Sequence, residues 1–171
     1  ELSFDAREML WRKSGIDLTA LPGIQASTAL TIFSELGGCD VSAWDSVGAF
    51  ASWLKLCPGN NITGGKSRKS KRQPCANRIT QGLRMASLSA KKSKTSVGAF
   101  VRRVSGRADK PKGIKAGAHK LARMVYHMCK YGWKYFEKGE QEYENVCKAN
   151  DVKRFLKKAK ELGFAVSQMA A

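Results

Sequence analysis

Ten residues in the middle of this 171-residue chain carry its richest chemistry. Thr63, Ser67 and Ser70 supply hydroxyls, and Lys66, Arg68, Lys69, Lys71 and Arg72 stand between and beside them. A hydroxyl next to ammonium and guanidinium groups suits attack on a phosphodiester, because the cations offset charge that develops on the phosphate oxygens. The same composition also makes a passive phosphate-binding loop, and the residues alone favour that simpler role. The run from Gly59 to Ser67, GNNITGGKS, comes near a nucleotide phosphate loop but misses it. Such a loop sets four residues between its first glycine and the Gly-Lys pair, whereas Gly59 and Gly65 enclose five. A helical pattern rather than a strand precedes it, which argues against ATP binding.

Other residues qualify for contact with nucleic acid. Asn77, Arg78 and Arg84 follow the basic run and read as neighbours on one helix face, either touching phosphate or simply solvated. Leu21, Pro22, Gly23 and Ile24 precede a helical pattern containing Ala26 and Ala29. This order fits a helix-hairpin-helix element, in which a tight turn aims backbone N–H groups at a DNA phosphate. It also fits a plain helix–helix turn, since Gln25 stands where a second glycine is usual. Tyr126, Tyr131, Trp133, Tyr135 and Phe136 could stack on bases, although packing accounts for them more simply. His119 and His127 lie eight residues apart with no third ligand in reach, so they read as surface or packing groups and no metal site is expected. The five cysteines form no CxxC pair and their number is odd, which points to free thiols in a reducing compartment.

Charge narrows the partner. The chain holds 31 basic and 14 acidic residues, a net of +17. Residues 1–60 carry a net of −3 and residues 124–171 a net of +3, while residues 61–123 hold 18 basic groups and one acid, Asp109. A solubilising surface mixes its signs; a concentrated basic zone suits phosphate neutralisation. An anionic membrane is a weaker partner, because no basic helix shows a strong apolar opposite face. No apolar run is long enough to span a bilayer.

The elements that must position these groups are helical. Apolar spacing predicts helices over 3–14, 25–36, 43–56, 77–92, 96–105, 113–131 and 139–162. A capping box at Ser42–Asp45 would open the third, Pro58 would end it, and a turn would span Gly106–Pro111. Between them, residues 58–76 read as a basic, glycine-rich loop, mobile without its partner. The expected fold is all-α: a helix-hairpin-helix-like part (1–57), the loop (58–76), and a helical C-terminal part (77–171) packed as one unit.

The order of motifs is itself informative. LPGI (Leu21–Ile24) leads to a helix ending in Glu35, Leu36 and Gly37. FASWLKLCPGN (Phe50–Asn60) and ITGGK (Ile62–Lys66) follow, then Ala76, Asn77 and Arg78, then Gly98, Ala99 and Phe100. AHKLAR (Ala118–Arg123) with Tyr131 and Gly132 closes the series. From about residue 18 to 164 this resembles the C-terminal domain of transposases of the insertion-sequence 110 family, with its 116 and 902 relatives. The resemblance implies a module that works beside a RuvC-type nuclease domain and is guided by a bridge RNA. It implies a serine that attacks DNA and forms a phosphoserine link, while nuclease-domain carboxylates hold Mg2+. The serine position falls on Thr63, with Ser67 and Ser70 as alternatives; Lys66, Arg68, Lys69, Lys71, Arg72, Arg78, Arg84 and Gly23 would bind nucleic acid. The carboxylates have no counterpart in these residues, so no cofactor is expected on this chain. The expected setting is the nucleoid of a bacterial or archaeal cytoplasm, and a homo-oligomer when full length. The alternative implied by the threonine is a non-catalytic remnant that only holds DNA or RNA.

Overall fold

The computed structural model describes residues 5–57, 61–63, 66–68, 77–132, 134–164 and 166, the two short segments as backbone only. Seven α-helices account for most of them: α1 (Ala6–Ser14), α2 (Ala26–Glu35), α3 (Val47–Trp53), α4 (Arg78–Ala90), α5 (Ser96–Arg107), α6 (Lys110–Tyr131) and α7 (Gly139–Glu161). A single 3₁₀ turn, Leu18–Ala20, joins α1 to α2. The fold is all-α with one addition, a hairpin of β1 (Asn61–Thr63) and β2 (Lys66–Arg68) inside the stretch expected to be a plain loop. Only Gly64 and Gly65 separate these strands in sequence, and a Gly-Gly pair is a favoured hairpin connection. Three-residue strands are too short to show an alternating apolar pattern, which is why the sequence hides them.

Two other boundaries move. The Ser42–Asp45 run does not open α3. Asp40 instead accepts from the Ser42 amide at 2.8 Å and turns the chain, and Ser46 Oγ caps the helix by accepting from Ala49 N at 3.1 Å. The expected turn at Gly106–Pro111 shrinks to Ala108 and Asp109. Glycine costs a helix only about 1 kcal/mol, so α5 runs through Gly106. Pro111 lies in the first turn of α6, where no N–H is needed, beside the Asp109 cap that accepts from Lys112 N at 2.8 Å.

The core is built around α6. It packs against α5, α4 and α3, while α2 lies on α4 and α7 rests on α5. Leu121, Val125 and Tyr126 of α6 are buried with Leu83, Val97, Val101, Phe50 and Leu54. Tyr126 also ties α6 to the segment before α3, donating its hydroxyl to the Trp44 carbonyl at 2.9 Å. Small residues set the spacing. A Cβ on Gly117 would lie 2.2 Å from Ser87 Oγ and 2.4 Å from Val101 Cγ2, so α4 and α5 both press against α6 at this point. α7 packs less completely than the apolar pattern implied: Val146, Val152, Phe155 and Leu156 are exposed.

Candidate nucleic-acid interface

In sequence the hairpin lies between α3 and α4, and its root, the chain just after α3, is held by side chains of α4 and α6. Buried Thr80 donates its hydroxyl to the Leu54 carbonyl at 2.8 Å, joining α4 to the residue that follows α3. Lys115 of α6 reaches the Cys57 carbonyl at 3.4 Å. Asn77 accepts from Ile79 N at 2.8 Å and so caps α4, which gives this residue a structural duty apart from any contact with nucleic acid. Above the root the strands run antiparallel, with Asn61 opposite Arg68, Ile62 opposite Ser67 and Thr63 opposite Lys66. Lys66 opens a strand rather than a helix, which removes the geometry of a nucleotide phosphate loop. Lys69, Ser70, Lys71 and Arg72 lie outside the described residues.

Around the root the cations divide. Arg78, at the first position of α4, is 80% exposed and stands 3.8 Å from Glu35. Arg84 is half-buried in the same helix. Six residues of α-helix turn about 240°, so Arg78 and Arg84 do not share one face, contrary to the expectation from their spacing. Gly23 has φ +81°, and a Cβ there would lie 2.1 Å from the Ala86 carbonyl oxygen. The turn in which the glycine sits is therefore pressed against α4, so packing alone already demands a residue without a side chain here.

A basic face outside the motifs begins at the same root. α6 contains six lysines and arginines and no acid between Lys110 and Tyr131. Lys115, His119, Arg123 and His127 follow one another at four-residue steps along it. Burial holds the His119 imidazole below its ordinary pKa, and the charges of Arg123 and Lys115 add to that, so it stays neutral near pH 7 while its neighbours are charged. The sequence signal lies in the missing acids; reading His119 and His127 as surface or packing groups leaves the face they mark unassigned. The aromatic set also separates. Tyr126 is core, Tyr135 is half-buried and bonded to Glu137 at 2.5 Å, while Tyr131 and Phe136 are exposed. Trp133 lies outside the described residues. The four described cysteines, Cys39, Cys57, Cys129 and Cys147, are free thiols.

The family described as Transposase IS116/IS110/IS902 matches residues 17–102, half of the chain. The chain belongs to this transposase family. No curated protein and no solved structure matches it. The family's span begins at the 3₁₀ turn, includes Gly23, the whole hairpin region and α4, and ends within α5. α6 and α7 lie beyond it, including the AHKLAR and Tyr131–Gly132 motifs. Membership of a transposase family makes DNA the partner of this chain and transposition of an insertion sequence its setting. Among the described residues no helix is long and apolar enough to cross a membrane.

Proposed function

We propose that this chain is the DNA-binding and strand-transfer module of an insertion-sequence transposase. The observation that carries the reading is the family's span over the hairpin, where the backbone register sets Thr63 opposite Lys66. In the reaction the Thr63 oxygen forms a bond to the scissile phosphorus. The bond from phosphorus to the neighbouring nucleotide's oxygen breaks, and that oxygen leaves as a strand-terminal hydroxyl after taking up a proton. The phosphate remains on the protein until a hydroxyl of another strand end attacks it and releases Thr63. Lys66, Arg68, Lys69, Lys71, Arg72 and Arg78 neutralise phosphates, and Arg84 and the Gly23 turn support contact alongside. Ser67 and Ser70 are the alternative nucleophiles.

Such a hydroxyl needs help, because a neutral alcohol is a weak nucleophile near pH 7. The basic zone does not provide it. Its one carboxylate, Asp109, caps α6 and pairs with Lys112 at 2.8 Å. That donor set does not fit Mg2+, and no step is assigned to a metal on this chain. The reading therefore requires a separate nuclease domain as the source of base and Mg2+, a bridge RNA as guide, and assembly into an oligomer.

The test is a denaturing gel that detects covalent protein–DNA adduct when the chain is mixed with such a domain, Mg2+ and guide RNA. Thr63→Ser should equal or exceed the parent, and Thr63→Ala should abolish adduct. Full adduct from Thr63→Ala, with loss in Ser67→Ala or Ser70→Ala, would move the nucleophile. Adduct from no variant would favour the second reading, a clamp that binds nucleic acid without chemistry. The absence of a second carboxylate from the basic zone is the observation behind that reading.

A further inference from the structure

The basic face of α6 ends in a cavity that the strand-transfer reading leaves unused. It is an open cleft of about 490 Å³, and its described lining, Lys120, Arg123, Met124, His127 and Tyr131, comes from α6 alone. No carboxylate lies among them. The rings of His127 and Tyr131 stack at 5.7 Å between centroids, 24° from parallel. Tyr131 is 67% exposed, so the stack continues into solvent rather than into the core. Lys120 is positioned over the Phe100 and Tyr143 rings at 4.8 and 5.1 Å, which holds its ammonium at the cavity edge. Arg123 is exposed and makes no ion pair among the described residues.

A mixed wall of this kind discriminates between ligands. A purely electrostatic contact to duplex phosphates would have no use for an exposed ring stack, and an apolar partner would bury the Arg123 guanidinium without a counter-ion. A nucleotide whose base is not paired satisfies both. Its base has a free π face for Tyr131, Met124 offers a polarisable apolar contact, and its phosphate faces Arg123 and Lys120. We infer that this cavity is a binding subsite for an unpaired nucleotide of a single strand. The strand reaches it along α6 from the hairpin root, through Lys115 and Arg123. From residue 115 to residue 131 the helix rises about 24 Å, which makes this subsite remote from the hairpin and distinct from it. The inference rests on the chain being a nucleic-acid-binding module.

The experiment measures fluorescence anisotropy of the full chain with labelled dT12, U12, an abasic 12-mer and a duplex. A 2-aminopurine base within the single strand reports stacking by loss of its fluorescence. Tyr131→Ala should weaken binding to a base-bearing single strand roughly 5- to 100-fold. It should relieve the 2-aminopurine quenching and leave the duplex and the abasic strand bound as by the parent. Tyr131→Phe should retain the parent's behaviour, because the ring and not the hydroxyl stacks. Arg123→Ala should flatten the dependence of log K on log salt for dT12 by about 0.7. Loss on both dT12 and U12 assigns either kind of strand to the site; loss on one assigns that strand. Parent-like binding of dT12 and U12 by Tyr131→Ala, or equal loss on the abasic strand, would overturn the inference while leaving duplex binding intact. A parent that binds none of the four would instead overturn the reading beneath it.

Discussion

Replacing Gly117 by alanine tests the claim that α6 is wedged between two helices. A methyl added there lies 2.2 Å from Ser87 Oγ and 2.4 Å from Val101 Cγ2, each more than 1 Å inside ordinary contact. Both neighbours are fully buried, and the Val101 methyl is on a branched side chain with few rotamers, so the helices must part slightly. Overpacking of this kind costs about 1–3 kcal/mol. Alanine returns up to about 1 kcal/mol of helix propensity. The net loss is therefore up to about 2 kcal/mol, which for a chain of this length lowers Tm by up to roughly 8 °C. Gly106→Ala is the matched control: it is also helical, nothing lies within 4 Å of its added methyl, and it should raise Tm. Removing the nearer obstacle, in Gly117→Ala with Ser87→Ala, should recover part of the loss, because Ser87 Oγ makes no hydrogen bond among the described residues. Thermal melts followed by far-ultraviolet circular dichroism give all four values. If Gly117→Ala melts at or above the parent, the close contact of α4, α5 and α6 is refuted.

Binding to duplex DNA should depend steeply on salt: with about eight phosphates neutralised, log K should fall with log salt at a slope of roughly −7. A filter-binding titration with slope near zero would remove the electrostatic argument, and alanine at Lys66, Arg68, Lys69 and Arg72 should flatten the slope by a few units without unfolding the chain. Thr80→Val should cost about 1 kcal/mol by removing the hydroxyl bound to Leu54, and should lower adduct yield more than a loss of that size explains if the hairpin root positions Thr63. Acid should loosen α1. Asp17 is desolvated, but hydrogen bonds from Thr19 and the Arg7 guanidinium at 2.6 Å outweigh that and hold its carboxyl below the ordinary carboxylate value. A depressed carboxylate stabilises the fold above the unfolded pKa, about 3.9, and that contribution is lost as pH falls through the folded value. Stability measured by urea titration should therefore fall more between pH 4 and pH 2 in the parent than in Asp17→Asn.

The helices were legible because each buries one face. Ile114, Leu121, Val125 and Cys129 recur along α6 at helical spacing, and the structure turns that stripe inward or half inward. Boundaries were less legible, since two of the misleading signals, Ser42–Asp45 and Gly106–Pro111, are local chemistry that more than one geometry satisfies. The hairpin was missed because its strands are short and polar. At the interface, composition located the basic zone, and motif order located the family. It could not show that Gly23 is pressed onto Ala86, nor that Lys115 meets the chain at Cys57, because those contacts join residues 63 and 58 positions apart. Nor could it separate core Tyr126 from exposed Tyr131, since five positions on one helix can point one ring in and the other out.

The placement of α6 has a consequence for what counts as a unit here. The family's span stops at Arg102, inside α5, yet Val97, Leu83 and Phe50 of that span are covered by a helix that starts eight residues later. The region that similarity recognises thus lacks part of its own floor. A piece cut at that border would present a bare apolar trough and stick to other copies of itself. Any relative that keeps this architecture must supply an equivalent long helix, whatever its sequence. α6 thus does two jobs at once: its inner side closes the core, and its outer side carries the cations and the ring stack.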